Sequence, residues 1–267
     1  MTHNPNRFDQ AIPRTAVVIP AYNEQRSIRM PLEALAAQRA YHTPIVVVDN
    51  ASTDDTARIV RTFSALHPRA HIECIAEAEK GTGCAVDTGF RHAIRQYGAE
   101  VIARTDADSQ PFPDWLERIQ NCFVHNHRLQ LLGGKVLALH DHHYRIGDDV
   151  CYPRGVRMLF AARSLYTDHS LRYTAPAIGL NMATTAGAYL SVDGIPRTNI
   201  AEVDEDIIYM QRVIDHWGKR SATYAPEVVA RTSMRRLREY GYIGTFLHFL
   251  DPDRRLRHPP TRIDIRD

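Results

Sequence analysis

The 267-residue sequence lacks the features that mark several specialised classes of protein. It has no apolar run near the roughly 18 residues that a membrane-spanning helix needs. Residues 1–11 contain no apolar core like that of a signal peptide, and we expect them to form a frayed tail. The formal net charge is only +2, which argues against nucleic-acid binding. We therefore expect a cytoplasmic protein with no transmembrane segment and no nucleic-acid partner.

Cysteine is scarce, and familiar nucleotide-binding motifs are missing. The sequence contains no C-x-x-C pair. It also lacks the G-x-x-x-x-G-K-[ST] motif, which excludes P-loop chemistry. The glycines at 81 and 83 lack the third glycine of the dinucleotide fingerprint and do not follow the first strand. We expect reduced, partly buried thiols at all four cysteines: Cys74, Cys84, Cys122 and Cys151.

Short apolar segments alternate with helical patterns through the first half of the chain. The predicted strands are Thr15–Pro20, Pro44–Asp49, Ile72–Ala76 and a run from Val101 that ends in the acids at 106 and 108. The predicted helices are Ser27–Gln38, regular from about Met30, Ala57–Leu66 after a capping box at 52–55, and Thr82–Tyr97. This alternation predicts an α/β fold with a mostly parallel central sheet flanked by helices.

The second half has a less regular pattern and no linker, repeat or low-complexity tract. We predict a helix at Trp115–Val124 capped by Asp114, strands at Leu129–Leu139, Ala183–Val192 and Ser221–Tyr224, a turn at Asp193-Gly194, a helix that opens at 203–206, and a last helix at Arg236–Phe249. The sequence therefore predicts one domain over residues 1–267.

Two carboxylates end the apolar run that begins at Val101. Side chains two residues apart in a strand point the same way, so we predict that Asp106 and Asp108 share one face at the carboxyl end of this strand. Two like charges so close repel each other unless a cation lies between them, and Mg²⁺ or Mn²⁺ prefers oxygen ligands and leaves room for phosphate. We predict a divalent metal site that holds a nucleotide diphosphate; the alternative is an acid pair in a surface turn.

Other polar groups fall at the same predicted edge of the sheet. Ligands of parallel α/β sheets bind beyond the carboxyl ends of the strands. Asp49 ends the second strand, and the loop Tyr22–Glu24 follows the first. We expect these groups to converge with the Asp106–Asp108 pair on one site.

Four sequence motifs resemble the successive signatures of glycosyltransferase family 2. They are VVIPAYNE at 17–24, VVVDNASTDDT at 46–56, KGTGCAVDTGFRHA at 80–93 and TDADSQPFPDW at 105–115. The resemblance covers roughly residues 15–235. It implies a GT-A fold and transfer of a sugar from a nucleotide diphosphate donor. Residues 15–110 would bind the nucleotide sugar, 111–235 would frame the acceptor, and 236–267 would form a C-terminal helix and tail.

The resemblance also implies roles for individual residues. Tyr22 would stack on the base, Glu24 would lie near the ribose, Asp49 would accept a base or ribose hydrogen bond, and Asp108 would bind the metal more directly than Asp106. The full set implied to bind the donor or its metal is Pro20, Ala21, Tyr22, Glu24, Asp49, Lys80, Gly81, Asp106, Ala107 and Asp108. Arginines implied to brace the diphosphate are Arg231, Arg235 and Arg236.

The pair Glu205-Asp206 is similar to the family's E-D motif, in which the aspartate is the usual general base. A carboxylate on the far side of the sugar from the leaving diphosphate would permit one displacement with inversion. Asp206 is thus the implied base, with Glu205 or Asp204 as alternatives. The expected activity is metal-dependent, inverting transfer, with UDP favoured over GDP or dTDP, to an unknown hydroxyl on a glycan, a lipid-linked molecule or a small molecule.

Several alternatives stay open. The chain is also compatible with a non-catalytic sugar-nucleotide-binding module or a sugar-phosphate nucleotidylyltransferase, although the glycine-rich N-terminal loop of the latter is missing. The segment His140–His143 is interpreted as a solvated loop, because consecutive residues rarely offer one convergent metal face. The apolar stripe of the last helix predicts core or a homodimer face, and its flanking arginines suit peripheral contact with the inner face of a membrane.

Overall fold

The structure is a computed structural model that describes residues 11–38, 43–151, 154–155, 179–197, 205–235, 237–239 and 241. The strands are β1 (Thr15–Ala21), β2 (Ile45–Asp49), β3 (Ile72–Ala76), β4 (Val101–Thr105), β5 (Ser109–Pro111), β6 (Leu131–Ala138), β7 (Asn181–Thr185) and β8 (Ala222–Thr232). The helices are α1 (Arg29–Ala36), α2 (Thr56–Leu66), α3 (Thr82–Tyr97), α4 (Trp115–His125), α5 (Ala186–Ser191) and α6 (Glu205–Trp217).

The described strands form one eight-stranded sheet in the order β3-β2-β1-β4-β7-β6-β8-β5. The strands β3, β2, β1 and β4 are parallel, whereas β7 is antiparallel to both β4 and β6. The α/β architecture is therefore confirmed. Because the first four strands run in the same direction, their carboxyl ends lie at one edge of the sheet, where ligands of such sheets bind.

Successive residues of β1 enter two different hydrophobic cores. Val17 and Ile19 pack in a cluster with residues of α1, α2 and α4, whereas Ala16 and Val18 pack in a second cluster with residues of α3, α5 and α6. Neighbouring side chains in a strand point to opposite faces, so an unbroken apolar strand is buried on both. This explains why β1 and β2 have apolar runs without polar alternation.

Helix α3 lies directly against the sheet beneath the predicted site. A Cβ atom at Gly89 would lie 2.4 Å from Val18 Cγ1 and 2.9 Å from Val48 Cγ2. Only glycine permits this approach of α3 to β1 and β2. The amino end of α3, which follows Lys80 and Gly81, is thereby fixed beside the carboxyl ends of these strands.

The prediction of a strand over Ala183–Val192 is wrong beyond residue 185. The strand β7 ends at Thr185, whose Oγ1 accepts a hydrogen bond from the Ala188 N–H and so caps helix α5. A threonine at the N-cap satisfies one of the free N–H groups at a helix start. The turn predicted at Asp193-Gly194 is confirmed, since both residues have positive φ angles.

The capping box predicted at 52–55 and the cap predicted at Asp114 are wrong. Asp55 and Asp114 occupy the N-cap positions of α2 and α4, but neither side chain makes a capping hydrogen bond. Asp55 pairs with Arg58, and Asp114 pairs with Arg118. At the start of α2, the Thr56 N–H donates instead to Asp54 Oδ1 over 2.9 Å.

The last predicted elements are described only in part. The strand predicted at Ser221–Tyr224 is longer and spans Ala222–Thr232 as β8. Most of the helix predicted at Arg236–Phe249 lies outside the described residues. None of the helices that the structure describes has the length and hydropathy of a membrane span. The division into donor and acceptor halves stays a prediction.

Candidate functional site

Two loops at the carboxyl edge of the sheet are tied together by side chains. The Asn23 N–H donates to Ser52 Oγ over 3.0 Å, and the Thr53 N–H donates to Asn23 Oδ1 over 2.8 Å. The Glu24 N–H donates to Thr56 Oγ1 over 2.7 Å. The segments after β1 and β2 therefore form one unit. Two of the residues predicted as a capping box, Ser52 and Thr53, serve instead to join these loops.

Pro20 and Ala21, which the resemblance implies bind the donor, lie within a strand. Pro20 and Ala21 belong to β1 and are buried, and Ala21 pairs with Asp49 in the sheet. The Ala21 carbonyl accepts a hydrogen bond from the Asn50 N–H over 2.8 Å. Only the part from Tyr22 onward leaves the sheet, and the donor-binding role of Pro20 and Ala21 stays a prediction.

Asp49 at the end of β2 carries an unpaired polar atom. Its Oδ1 is buried and has no hydrogen-bond partner. A buried carboxylate oxygen without a partner is costly, and such atoms call for a functional explanation. Asp49 thus offers a free acceptor at the edge where the resemblance puts the base or ribose.

Lys80 and Tyr22 meet beside this acid. Lys80 Nζ lies 3.1 Å from the Tyr22 hydroxyl and 4.6 Å from the centroid of its ring. The loop that carries Lys80 is held by Asn50, whose Nδ2 donates to the Glu79 carbonyl over 2.7 Å and whose Oδ1 accepts from the Gly81 N–H over 2.8 Å. An aromatic ring with an ammonium group beside it suits a base and a phosphorylated ribose.

The two acids after β4 do not share a strand face. The strand ends at Thr105, and the Ser109 N–H donates to the Asp106 carbonyl over 3.1 Å, which closes a tight turn. Ala107 lies between the acids and packs into the core. The two carboxylates are brought to the edge by a turn and contact different arginines.

Arg104 is buried and bridges two acids from distant parts of the chain. Its Nε lies 3.3 Å from Asp106 Oδ1, and its Nη1 lies 3.0 Å from Glu205 Oε1. Burial alone would lower the pKa of Arg104, but Asp106, Glu205 and Asp206 outweigh it and raise the pKa above its ordinary value. Arg104 is therefore a permanent cation between the turn after β4 and the start of α6.

Arg235 makes a second bridge at the same edge. Its guanidinium contacts the Glu24 carboxylate through both terminal nitrogens and lies 3.0 Å from Asp108 Oδ2. Burial would lower the pKa of Arg235, but Asp108 and then Glu24 raise it. Glu24, expected near a ribose, thus binds Arg235 and the Ser27 hydroxyl. Arg231, by contrast, contacts Asp149 and the Ala138 carbonyl, and Arg236 lies outside the described residues.

The two acids that open α6 have different surroundings. Glu205 is buried, and its carboxylate contacts Arg104. Asp206 is half-buried, and its Oδ2 accepts a hydrogen bond from the Gly179 N–H over 2.8 Å while Oδ1 accepts from the Ile207 N–H over 2.8 Å. Of the two, Asp206 has the more accessible carboxylate. Asp204 lies outside the described residues.

The donor chemistry of Asp108 fits a divalent cation. Its carboxylate already attracts the cationic Arg235, and Thr232 Oγ1 lies 3.5 Å from Asp108 Oδ1. Oxygen donors of this kind suit Mn²⁺ or Mg²⁺, with further positions filled by phosphate and water. In the described part of the chain, no three histidine, cysteine or acidic residues converge as a metal cage. A bound ion would therefore take much of its coordination from a ligand.

The histidine segment makes contacts within the protein. His140 Nε2 lies 2.7 Å from Asp149 Oδ2, and Asp141 accepts a hydrogen bond from the Ser233 hydroxyl over 2.9 Å. Burial and the neighbouring His142 lower the pKa of His143. The segment is an irregular loop with His140 and His142 exposed, as predicted, and the bond between Asp141 and Ser233 ties it to the end of β8.

Three of the four cysteines are at least partly buried, as predicted, and Cys151 is exposed. Burial raises the pKa of Cys84 and of Cys122 to about 11. These two thiols are therefore protonated at neutral pH, and the site has no thiolate nucleophile among them.

The roles of Arg104 and Asn50 were not predicted from the sequence. A signal for Arg104 existed, because a charged residue inside an apolar buried strand needs a partner. Its partner Glu205 lies far away along the chain, and no spacing rule connects the two. Asn50 gave no signal, since its role depends on the path of the loop from Glu77 to Gly81.

Solved structures of two enzymes have a similar fold. A mannosyltransferase from Pyrobaculum calidifontis, in complex with GDP-Man and Mn²⁺, matches 89% of this chain and 64% of its own with a TM-score of 0.62 and 23% identity. Glucosyl-3-phosphoglycerate synthase from Mycobacterium tuberculosis, in complex with Mn²⁺, UDP-Glc and phosphoglyceric acid, matches 93% of this chain and 84% of its own with a TM-score of 0.63 and 16% identity. The chain thus has the GT-A fold of nucleotide-diphospho-sugar transferases.

The sequence adds the family. Residues 16–143, just under half of the chain, match the model of glycosyl transferase family 2, so the predicted resemblance is confirmed. The glycosyltransferase AglE of Haloferax volcanii is 33% identical over 127 residues, which make up 47% of this chain and 40% of that relative. The matched region thus spans less than half of that relative's length.

Proposed function

We propose that the chain is a metal-dependent, inverting glycosyltransferase that moves a sugar from a nucleotide diphosphate donor to an acceptor hydroxyl. The main observation that supports this proposal is that Arg104 forms ion pairs with both Asp106 and Glu205. Asp106 lies in the turn after β4, and Glu205 lies at the start of α6. Because of this bridge, the acids suited to a diphosphate and its metal lie at the same edge as the acids suited to take a proton.

The nucleotide would lie along the carboxyl ends of β1 and β2. Asp49 Oδ1 has no partner in the described protein and would accept an N–H from the base or a ribose hydroxyl. Tyr22 would stack on the base, and Lys80 beside it would meet the ribose or the phosphates. Gly81, held by Asn50, sets the path of this loop. UDP is the first donor nucleotide to test, and GDP follows because a relative in fold binds it.

The diphosphate would lie beside Asp108. This carboxylate would hold Mn²⁺ or Mg²⁺, and the ion would neutralise the charge that grows on the leaving diphosphate. Asp106, 3.3 Å from Arg104, would support the turn and has part of its carboxylate exposed toward the same edge. Arg235 lies 3.0 Å from Asp108 and would add positive charge next to the phosphates.

Asp206 would act as the general base. Its carboxylate accepts two backbone hydrogen bonds, which hold it in one orientation. It would take the proton of the acceptor hydroxyl while the sugar–phosphate bond breaks on the opposite face of the anomeric carbon, which gives inversion. Glu205, whose carboxylate contacts Arg104, would hold the helix start in position.

A nucleotide panel tests this proposal directly. Thermal unfolding is measured with UDP, GDP, dTDP and ADP, each with Mn²⁺, with Mg²⁺ and with a chelator. Because a ligand that binds the native state raises stability with its concentration and affinity, one diphosphate with metal should raise Tm well above the others. Slow hydrolysis of the matching nucleotide sugar should follow, with inversion of the anomeric carbon in the product seen by NMR.

The alternatives give different results in the same panel. A binding module would respond to the nucleotide but release no sugar from any donor, whereas a nucleotidylyltransferase would consume a nucleoside triphosphate and a sugar phosphate. A response to no diphosphate would overturn the proposal. A cytoplasmic location, membrane contact and homodimer formation stay predictions, since the apolar stripe at 236–249 lies largely outside the described residues.

A further inference from the structure

Arg104 lies in a place where the fold alone does not require a charge. Its side chain is 4% exposed, on the same face of β4 as Ile102, which packs in an apolar core with Tyr209 and Val213 of α6. Burying a guanidinium is costly, and replacing a buried ion pair by apolar residues of similar volume is often neutral or stabilising. A buried arginine with two carboxylate partners at this site therefore needs a reason other than stability.

The contacts of Arg104 converge on the proposed base. A Cβ atom at Gly179 would lie 2.6 Å from Arg104 Cζ, so the backbone at 179 lies directly on the guanidinium. The Gly179 N–H in turn donates to Asp206 over 2.8 Å. On its other sides, the guanidinium holds Glu205, adjacent to Asp206 in the chain, and Asp106. Arg104 thus touches both the peptide that orients Asp206 and the residue that precedes it.

We propose that Arg104 is a positioning residue that holds the Asp206 carboxylate at a fixed place relative to the Asp106–Asp108 turn. The inference rests on the proposed function. The planar guanidinium can contact two carboxylates and a peptide at once, whereas a lysine ammonium has neither the width nor the fixed fork to do so. Since a misplacement of about 1 Å can lower a rate by about 100-fold, the base depends on this geometry.

The test compares Arg104→Lys with a matched core variant, Ile102→Ala. Both residues point to the same face of one strand, and Ile102 is fully buried in an apolar cluster. The assay is hydrolysis of the donor identified by the nucleotide panel. Arg104→Lys should lower kcat at least about tenfold with donor KM changed less than about twofold. Ile102→Ala should lower Tm while its kcat stays within about twofold.

A double-mutant cycle measures the coupling between two substitutions in their effects on kcat, which general destabilisation of the protein would not change. Glu205→Gln keeps the size of the side chain and removes its charge. If Arg104 acts through Glu205, the effects of Arg104→Lys and Glu205→Gln on kcat should not multiply, because the second change removes an interaction already lost. Independent, multiplying effects would contradict the inference. If Arg104→Lys does not fold, Glu205→Gln is tested alone. It should lower kcat while the donor KM changes little.

The outcomes separate this inference from the proposed function. Wild-type protein that binds no nucleoside diphosphate and hydrolyses no donor overturns both. Wild-type activity that survives in Arg104→Lys overturns only the positioning role of Arg104. The positioning role is also overturned if Arg104→Lys and Ile102→Ala lower Tm equally and Arg104→Lys lowers kcat no more than Ile102→Ala does.

Discussion

The guanidinium of Arg235 lies 3.0 Å from the carboxylate of Asp108 and also contacts Glu24, so that one cation joins the end of β8 to the loops after β1 and β4. Each partner is at most 17% exposed. Two acids from separate loops therefore share one positive charge at the edge of the sheet. If Asp108 holds the proposed divalent ion, Arg235 and that ion would both supply positive charge to this carboxylate.

Replacing Arg235 by glutamine should destabilise the protein and strengthen its response to metal. Breaking a buried ion pair by removing one partner costs roughly 3–5 kcal/mol, and partial exposure puts this case near the lower limit. With Arg235 gone, Glu24 and Asp108 repel each other, and a divalent ion relieves that repulsion. Thermal unfolding without nucleotide should therefore show a larger rise in Tm with Mn²⁺ in Arg235→Gln than in the wild type.

Arg238→Gln is the matched control for this experiment. Arg238 is a similarly buried arginine three residues further along, and it pairs with Asp148. Its loss should lower Tm without raising the response to Mn²⁺. An equal metal response in both variants would mean that Arg235 does not compete for the acids of the site.

Asp108→Ala should remove the metal dependence of donor binding. Asp108 has the carboxylate whose surroundings best fit a divalent ion, whereas the Asp106 carboxylate contacts Arg104. Calorimetry with the nucleotide diphosphate should show that Mn²⁺ strengthens binding to the wild type but not to Asp108→Ala. Undiminished metal dependence would give Asp108 a structural role only.

Asp206→Asn should abolish transfer and leave donor binding intact. Asparagine keeps the size and hydrogen-bonding oxygen of the side chain but cannot take a proton. Loss of a positioned general base typically lowers a rate by about 10²–10⁴-fold. We expect kcat to fall by at least that factor while the dissociation constant for the nucleotide diphosphate changes less than about twofold. Full activity would shift the role of base to Glu205 or Asp204.

Much of the parallel half of the fold could be predicted from local patterns. The apolar runs that become β1 and β2 and the periodicity of α3 are visible in sequence, because burial on both faces of a strand and on one face of a helix leaves a pattern in adjacent residues. The prediction failed at Thr185, where a β-branched residue ends a strand and caps a helix. There, one hydrogen bond outweighs the β propensity of the residues that follow.

The candidate site could be predicted in its composition but not in its pairing. Asp49 and the acids at 106 and 108 could be predicted as site residues, because they come at the ends of strands and parallel strands end at one edge of the sheet. The acids at 106 and 108 contact Arg104 and Arg235, and these arginines also contact Glu205 and Glu24 from other parts of the chain. Such ion pairs depend on where the start of α6 and the end of β8 lie relative to the turn after β4, which no local pattern in the sequence reports.

Arg197→Gln should destabilise the protein in a pH-dependent way. Arg197 Nη2 lies 2.9 Å from Glu77 Oε2 and 2.8 Å from Glu79 Oε2, so it ties residues just before α6 to the loop that carries Lys80. Burial alone would raise the pKa of Glu77, but hydrogen bonds from Thr88, the Glu79 N–H and Arg197 together lower it below its ordinary value of about 4.5.

A carboxylate whose pKa is lower in the folded state stabilises the protein above its ordinary pKa, and this stabilisation is lost as the pH falls through the folded-state value. The Tm difference between wild type and Arg197→Gln should therefore be full at pH 7 and shrink below about pH 4.5. Arg197 is about one-third exposed, which limits the loss at pH 7 to about 1 kcal/mol. Arg14→Gln, which breaks the more exposed pair with Glu100, should cost less at pH 7. A Tm difference for Arg197→Gln that stays constant from pH 7 to pH 3 would show that Arg197 does not act through these carboxylates.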